Sequence, residues 1–231
     1  MTELVSYQLH DSIATVTLDD GKVNVLSHQM LRDIDGALDR AVADGAIVLL
    51  TGRPGVFSAG FDLRVLRAGG EDGPALVRAG FQLAARVLSF PKTVVIACTG
   101  HAIAMGAFLL LSGDYRVGAA GPYKITANEV AIGLTMPRPA VAICRQRLAP
   151  AHFSRAVVNA EVYGPDAAAG AGFLDRVVDE AQLADAAREV ARQLRTLDMD
   201  AHAATKLRAR EETLAAIQAG IDLDYAAYTT A

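Results

Sequence analysis

Three short segments of this 231-residue chain combine residue types and spacings that could do chemistry. Phe57-Ser58-Ala59-Gly60-Phe61-Asp62 and Gly100-His101-Ala102-Ile103-Ala104-Met105-Gly106 each follow an apolar, strand-like run and lead towards a helix-like one. Two such turns can aim backbone N–H groups at one point, where they stabilise negative charge growing on a carbonyl oxygen. The third segment, Ile125-Thr126-Ala127-Asn128-Glu129-Val130, adds one acid in a mostly apolar setting. Paired amides and an acid are the parts needed to form an enolate from a thioester.

Each segment also has a structural reading. Gly60 permits backbone angles or a close approach that a side chain would obstruct. Phe61 could present its amide to an oxyanion while its ring lines an acyl pocket. Asp62 reads equally well as the cap of a following helix, in an ordinary strand–turn–helix junction. Met105 could serve through its N–H, with Gly106 opening an apolar helix; tight helix–sheet contact accounts for the same glycines. Glu129 is either a partly desolvated carboxyl, raised towards the range useful for proton transfer, or part of an exposed turn. His101 reads as structural and Asp114 as a turn organiser or arginine partner. Ser58 lacks a histidine–acid relay, and no phosphate-binding fingerprint occurs at strand–helix spacing.

The elements that must position these segments follow from periodicity. Val5–Leu9 and Ile13–Leu18 alternate with period two across His10-Asp11-Ser12, the pattern of a hairpin. Ser27 reads as an N-cap before Met30, Leu31, Ile34, Leu38 and Ala41 at helical spacing. Ile47–Thr51 and Thr93–Cys98 are continuous apolar runs consistent with buried strands, and Pro74–Leu88 reads as the helix between them. A third, very apolar helix begins at Ala107. Repeated strand–helix units predict layered α/β architecture, but periodicity does not separate an open sheet from a spiral one. Gly69–Gly73 reads as a mobile loop. Gln182–Leu197 and Ala201–Ala219 read as two alanine-rich helices that pack on the body or on a neighbour.

Composition narrows the function classes. At 52% hydrophobic and 21% charged, the chain can bury a substantial core, and its sparse charge favours an oligomer. A net charge of −4 points away from nucleic acid and anionic membranes. Cys98 and Cys144 lie far apart with no histidine at ligand spacing, so neither a disulfide framework nor a metal site is expected. The N-terminal residues lack the pattern of a signal peptide, and a soluble cytoplasmic protein is expected.

These residues also carry a resemblance. Phe57–Leu63, Gly100–Asp114 and Asn128–Leu134 resemble the motifs of the crotonase superfamily of enoyl-CoA hydratases and isomerases. Val23-Asn24-Val25-Leu26-Ser27 is similar to its early Asn-Ala-Leu-Ser stretch, and Gly164–Val178 to a late Ala-x-x-x-Gly-Leu-Val-Asp segment. The resemblance implies a crotonase-like spiral of repeated ββα units over residues 1–195, then a C-terminal helical oligomerisation segment over 196–231. It implies a homotrimer or dimer of trimers acting on acyl-CoA, in the setting of fatty acid metabolism, with coenzyme A bound only as part of the substrate. Phe61 and Met105 match the oxyanion-hole positions, and Gly106 supports the second turn. Val25, Leu26, Ser58, Ala59 and Gly60 fall where the family holds coenzyme A.

One departure bears on the reaction. Hydratases of this family generally use two glutamates; Glu129 matches the second, whereas Phe108 occupies the first. Phenylalanine cannot activate water, and its bulk is expected to dry the pocket beside Gly106. A single carboxyl suffices to move a proton between C2 and C4 of an enoyl thioester. Isomerisation between 3-enoyl-CoA and 2-enoyl-CoA is therefore the favoured expectation. An enoyl-CoA hydratase and a noncatalytic acyl-CoA-binding module are the alternatives.

Overall fold

The computed structural model describes residues 3–229; the expected segment ends at 1–2 and 230–231 lie outside them. The chain opens with the expected hairpin, β1 (Val5–His10) antiparallel to β2 (Ile13–Leu18). After the short β3 (Val25–Leu26) comes α1 (His28–Ala43), capped by the Ser27 side chain, which accepts from the Met30 N–H at 3.2 Å. Next come β4 (Ile47–Thr51), β5 (Gly55–Ser58), β6 (Gly60–Phe61), α2 (Leu63–Arg67) and α3 (Asp72–Leu88). Then follow β7 (Val94–Cys98), β8 (Gly100–Ile103) and α4 (Met105–Leu111), and after them β9 (Tyr115–Ala119) and β10 (Ile125–Thr126).

The order of pairing settles what periodicity left open. Strands β4, β7 and β9 join one six-stranded sheet, while their successors β5, β8 and β10 form a separate three-stranded sheet. Each strand–strand–helix unit therefore contributes one strand to each layer before the chain moves on. That is a spiral, not an open doubly wound sheet. The large sheet runs β1-β2-β4-β7-β9-β11, with β11 (Arg176–Val178) at its edge, and it is parallel apart from the opening hairpin.

Burial of both sheet faces explains the unbroken apolar runs. Val48, Leu50, Val94 and Ile96 join the main core with α1, α3 and α4. Alternate residues Ile47, Leu49, Val95 and Ala97 face a second cluster under the helix Leu183–Leu194. Before that helix, three short ones follow β10: α5 (Arg138–Arg147), α6 (Pro150–Val157) and α7 (Pro165–Ala171). Leu183–Leu194 is thus α8, and α9 (Met199–Thr229) is the last described element.

The long helix α9 folds back over α3 and α5 of its own chain. Ile217 and Ile221 enter the main core, and near its start two cations are buried with Asp114. Lys206 Nζ lies 2.6 Å and Arg210 2.8 Å from the Asp114 carboxylate, which also accepts from the Val94 N–H at 2.7 Å. A second pair joins the buried Arg116 to Asp175 at the surface, at 2.6 Å, and Arg116 also donates to the Gly172 carbonyl. The Gly172–Asp175 turn therefore fastens the edge strand. Among the described residues, no helix is long and apolar enough to cross a membrane.

Candidate active site

The three chemistry-bearing segments meet. Ala59 and Phe61 from the first turn, Ile103 and Ala104 from the second, and Asn128 and Glu129 from the third line one cleft of about 400 Å³. Topology brings them there. Strand β6, ending at Phe61, follows β5, and β10 runs parallel to β8, with Ile125 opposite Ala102 and Thr126 opposite Ile103. The Ala104 N–H donates to the Thr126 carbonyl at 2.9 Å, tying the exit of β10 to the turn that starts α4.

That turn is unusual. Ala104 adopts φ 51, ψ −124, a conformation L-residues rarely take and one that costs on the order of 1–3 kcal/mol. It directs the chain abruptly from β8 into α4, leaving Met105 as the first helical residue, whose N–H has no intrahelical acceptor. Gly60 sits against this amide at φ 86; a Cβ there would come 2.8 Å from the Ile103 carbonyl oxygen and 3.2 Å from the Met105 nitrogen. The two turns thus approach so closely that only glycine fits between them. Gly106 does the same one residue on, because a Cβ would meet the Ser58 carbonyl oxygen at 2.4 Å.

Glu129 is held by backbone geometry. It begins a single 3-10 turn, Val130–Ile132, which Gly133 closes at φ 79, and its carbonyl accepts from the Leu134 N–H at 2.9 Å. Its side chain is only 7% exposed, and Oε2 is buried without a hydrogen-bond partner. Burial pushes its pKa from 4.5 up to about 7, opposed only by its own backbone N–H. Asn128 Oδ1 and Thr126 Oγ1 are likewise buried and unpartnered. Of these three residues, Asn128 and Glu129 line the cleft. The Cys144 thiol of α5 is pushed up by burial and, secondarily, by the Glu129 charge.

The other expected site residues are placed differently. The Phe61 ring packs on Gly80 of α3, where a Cβ would come 2.3 Å from its Cε1, and lies edge-on to Phe81 with centroids 6.2 Å apart. Phe108 and Gly106, expected on the pocket wall, lie behind it. Phe108 is 1% exposed and packs against Phe81, which itself lines the cleft. The drying effect foreseen for Phe108 thus falls to Phe81, which its helical spacing marked only as core. Leu26, Ser58 and Gly60 are buried and Val25 half-buried, and none of the four lines the cleft. The Ser58 hydroxyl is occupied, donating to the Asn24 carbonyl at 2.7 Å and accepting from the Gly60 N–H at 3.1 Å. Asp62 caps α2 through the Arg64 N–H at 2.9 Å, and His101 Nδ1 accepts from the Lys124 N–H. Both turn readings of those residues hold.

A larger hollow of about 510 Å³ lies beside Asp114, Lys206 and Arg210. Lys206 spends its donors on the Phe90 and Lys92 carbonyls and on Asp114, and Arg210 donates to Leu88 and pairs with Asp114. These cations are committed to holding α9 in place. The smaller cleft, with an unspent carboxyl and the free end of a helix, is the candidate active site.

The resemblance to known proteins extends over nearly the whole molecule. Residues 8–230 match the enoyl-CoA hydratase/isomerase family. An enoyl-CoA isomerase from Mycobacterium tuberculosis superposes with a TM-score of 0.94 at 47% identity, over 98% of this chain and 99% of that one. The enoyl-CoA hydratase EchA3 from Mycobacterium ulcerans gives 0.94 at 46% identity, with the same coverage. The human mitochondrial delta3-delta2-enoyl-CoA isomerase gives 0.92 at 27% identity, over 98% and 91% of the two chains. Relatives bearing either reaction's name fit equally well, so likeness of fold does not choose between them. With its spiral, its two abutting turns and its match across residues 8–230, the chain belongs to the crotonase superfamily, the enoyl-CoA hydratases and isomerases.

Proposed function

We propose that the protein is an enoyl-CoA isomerase that moves the double bond between 3-enoyl-CoA and 2-enoyl-CoA, with Glu129 as its sole general acid and base. The observation that carries this reading is that, among the described residues, Glu129 is the only ionisable side chain lining the cleft. A hydratase must both activate water and protonate carbon, and one carboxyl flanked by Phe61, Phe81 and Ile103 is poorly equipped for both. Isomerisation asks only that one proton leave one carbon and arrive at another.

In this mechanism the Glu129 carboxylate takes a proton from C2 of the 3-enoyl thioester. The electron pair delocalises onto the thioester oxygen, where the Phe61 and Met105 amides stabilise it. The neutral carboxyl then returns the proton at C4 as the 2,3 double bond forms. A pKa of about 7 leaves the group near half-ionised at neutral pH, suited to both halves of the exchange. The enzyme works in the cytoplasm as a homotrimer or a dimer of trimers, with α8 and α9 offering helical surface to neighbours.

Product analysis tests the assignment. Wild type should convert 3-enoyl-CoA to 2-enoyl-CoA and form no 3-hydroxyacyl-CoA from either substrate. Glu129→Gln should lower the isomerisation kcat about 10²–10⁴-fold. Sustained 3-hydroxyacyl formation by wild type would establish a hydratase instead. Acyl-CoA binding without turnover of either substrate would establish a binding module.

A further inference from the structure

The cleft does not end where the reacting groups do. Its mouth is rimmed by Leu63 at the start of α2 and by Ile132 and Leu134 after Glu129, and all three belong to the cleft wall. They are nevertheless 42%, 46% and 46% exposed. A single exposed leucine means little. Three large aliphatic side chains from two segments far apart in the chain, on the mouth of one cleft, form a patch of the kind that marks a binding surface. Deeper in, Leu66, Val77 and Phe81 continue the same apolar wall towards Glu129.

Resting on the acyl-CoA reading of the site, we propose that the substrate is a long, unsubstituted acyl thioester whose distal chain leaves the cleft across Leu63, Ile132 and Leu134. The occupant is argued from continuity, since the rim extends the wall that would hold the first carbons of the same chain. It is also argued from charge: among the described residues, the wall offers no ionisable partner apart from Glu129 for a carboxylated or aminated tail. The cavity itself, at about 400 Å³, has room for about thirteen groups the size of a water molecule at ~30 Å³ each. The rim adds surface beyond that volume. Each methylene moved from water onto such a wall should tighten binding by up to about fourfold.

Calorimetric titration with nonreactive S-alkyl-CoA thioethers bearing 4, 8, 12 and 16 carbons tests the proposal without requiring turnover. Affinity should climb through the 12-carbon ligand and be retained or improved at 16, giving at least about a 100-fold gain from 4 to 12. In the double variant Ile132→Asn/Leu134→Asn, the loss of affinity should grow with chain length and be largest at 12 and 16 carbons. A flat wild-type profile would overturn the proposal, as would a loss in the variant that is equal at every length. If sedimentation shows that the variant changes oligomeric state, the rim is covered by a second copy and the proposal also falls. A flat profile leaves the isomerase reading standing. Absence of binding at every length rejects the acyl-CoA reading itself.

Discussion

Asp114 and Glu129 are both largely screened from solvent, but in opposite environments. Asp114 receives an ammonium, a guanidinium and a backbone N–H, all within 2.8 Å. Glu129 receives no side-chain donor, and one of its oxygens has no partner. The first arrangement welds α9 to the strand ends, since both of its cations come from that helix and Asp114 sits between α4 and β9. The second leaves a carboxyl whose charge is penalised by burial, and therefore one that readily takes up and gives up a proton near neutrality. Desolvation alone makes neither a structural pin nor a catalyst. What decides is whether the surrounding chain supplies the compensating donors.

Removing the paired acid should have the larger effect on folding. Asp114→Ala leaves Lys206 and Arg210 buried without their counter-ion, and denaturant unfolding should show a loss of about 3–5 kcal/mol. Burial already holds the Lys206 ammonium below its usual pKa, with Asp114 opposing that shift. A loss under about 1 kcal/mol would place this cluster among solvated surface pairs.

Neutralising the unpaired acid should act in the reverse direction. The Glu129 pKa lies above its ordinary 4.5, at about 7, so the folded protein holds this proton more tightly than the unfolded chain does. The resulting destabilisation is absent below pH 4.5, develops between pH 4.5 and 7, and is complete above. Glutamine cannot ionise. Glu129→Gln should therefore be more stable than wild type by about 1–3 kcal/mol at pH 8 and indistinguishable at pH 4. Equal stability at both values, or a variant weaker at pH 8, would show that Glu129 is compensated in the folded state.

The two acids also differ in how far the sequence announced them. Apolar periodicity located the hairpin, α1, β4, α3 and β7, because alternation and helical spacing are imposed by burial within each element. The meeting of the two glycine turns was legible from Gly60 and Gly106, whose lack of a side chain is required by contacts of 2.8 and 2.4 Å. The environment of Glu129 was not, since Val130, Ile132 and Leu134 nearby remain substantially exposed while the acid is buried by other elements. Lys206 and Arg210 gave no signal, lying among the charges of an alanine-rich helix whose contacts with Asp114 are fixed only when α9 folds back. Phe81 and Phe108 share an apolar cluster, but only three-dimensional order tells which of them lines the cleft. The spiral itself depends on pairings between strands far apart in the chain, which no local pattern encodes.

The proton affinity of Glu129 can be read directly by following its side-chain carboxyl carbon in carbon-13 NMR across pH, alongside kcat/KM for 3-enoyl-CoA. Resonance assignment comes from the signal lost in Glu129→Gln. The carboxyl should titrate with a midpoint near 7, and activity should fall on the acid side with the same midpoint, because protonation removes the base. A midpoint in the ordinary range near 4.5, or an activity limb that ignores this titration, would contradict an unpaired, desolvated Glu129 as the group that moves the proton.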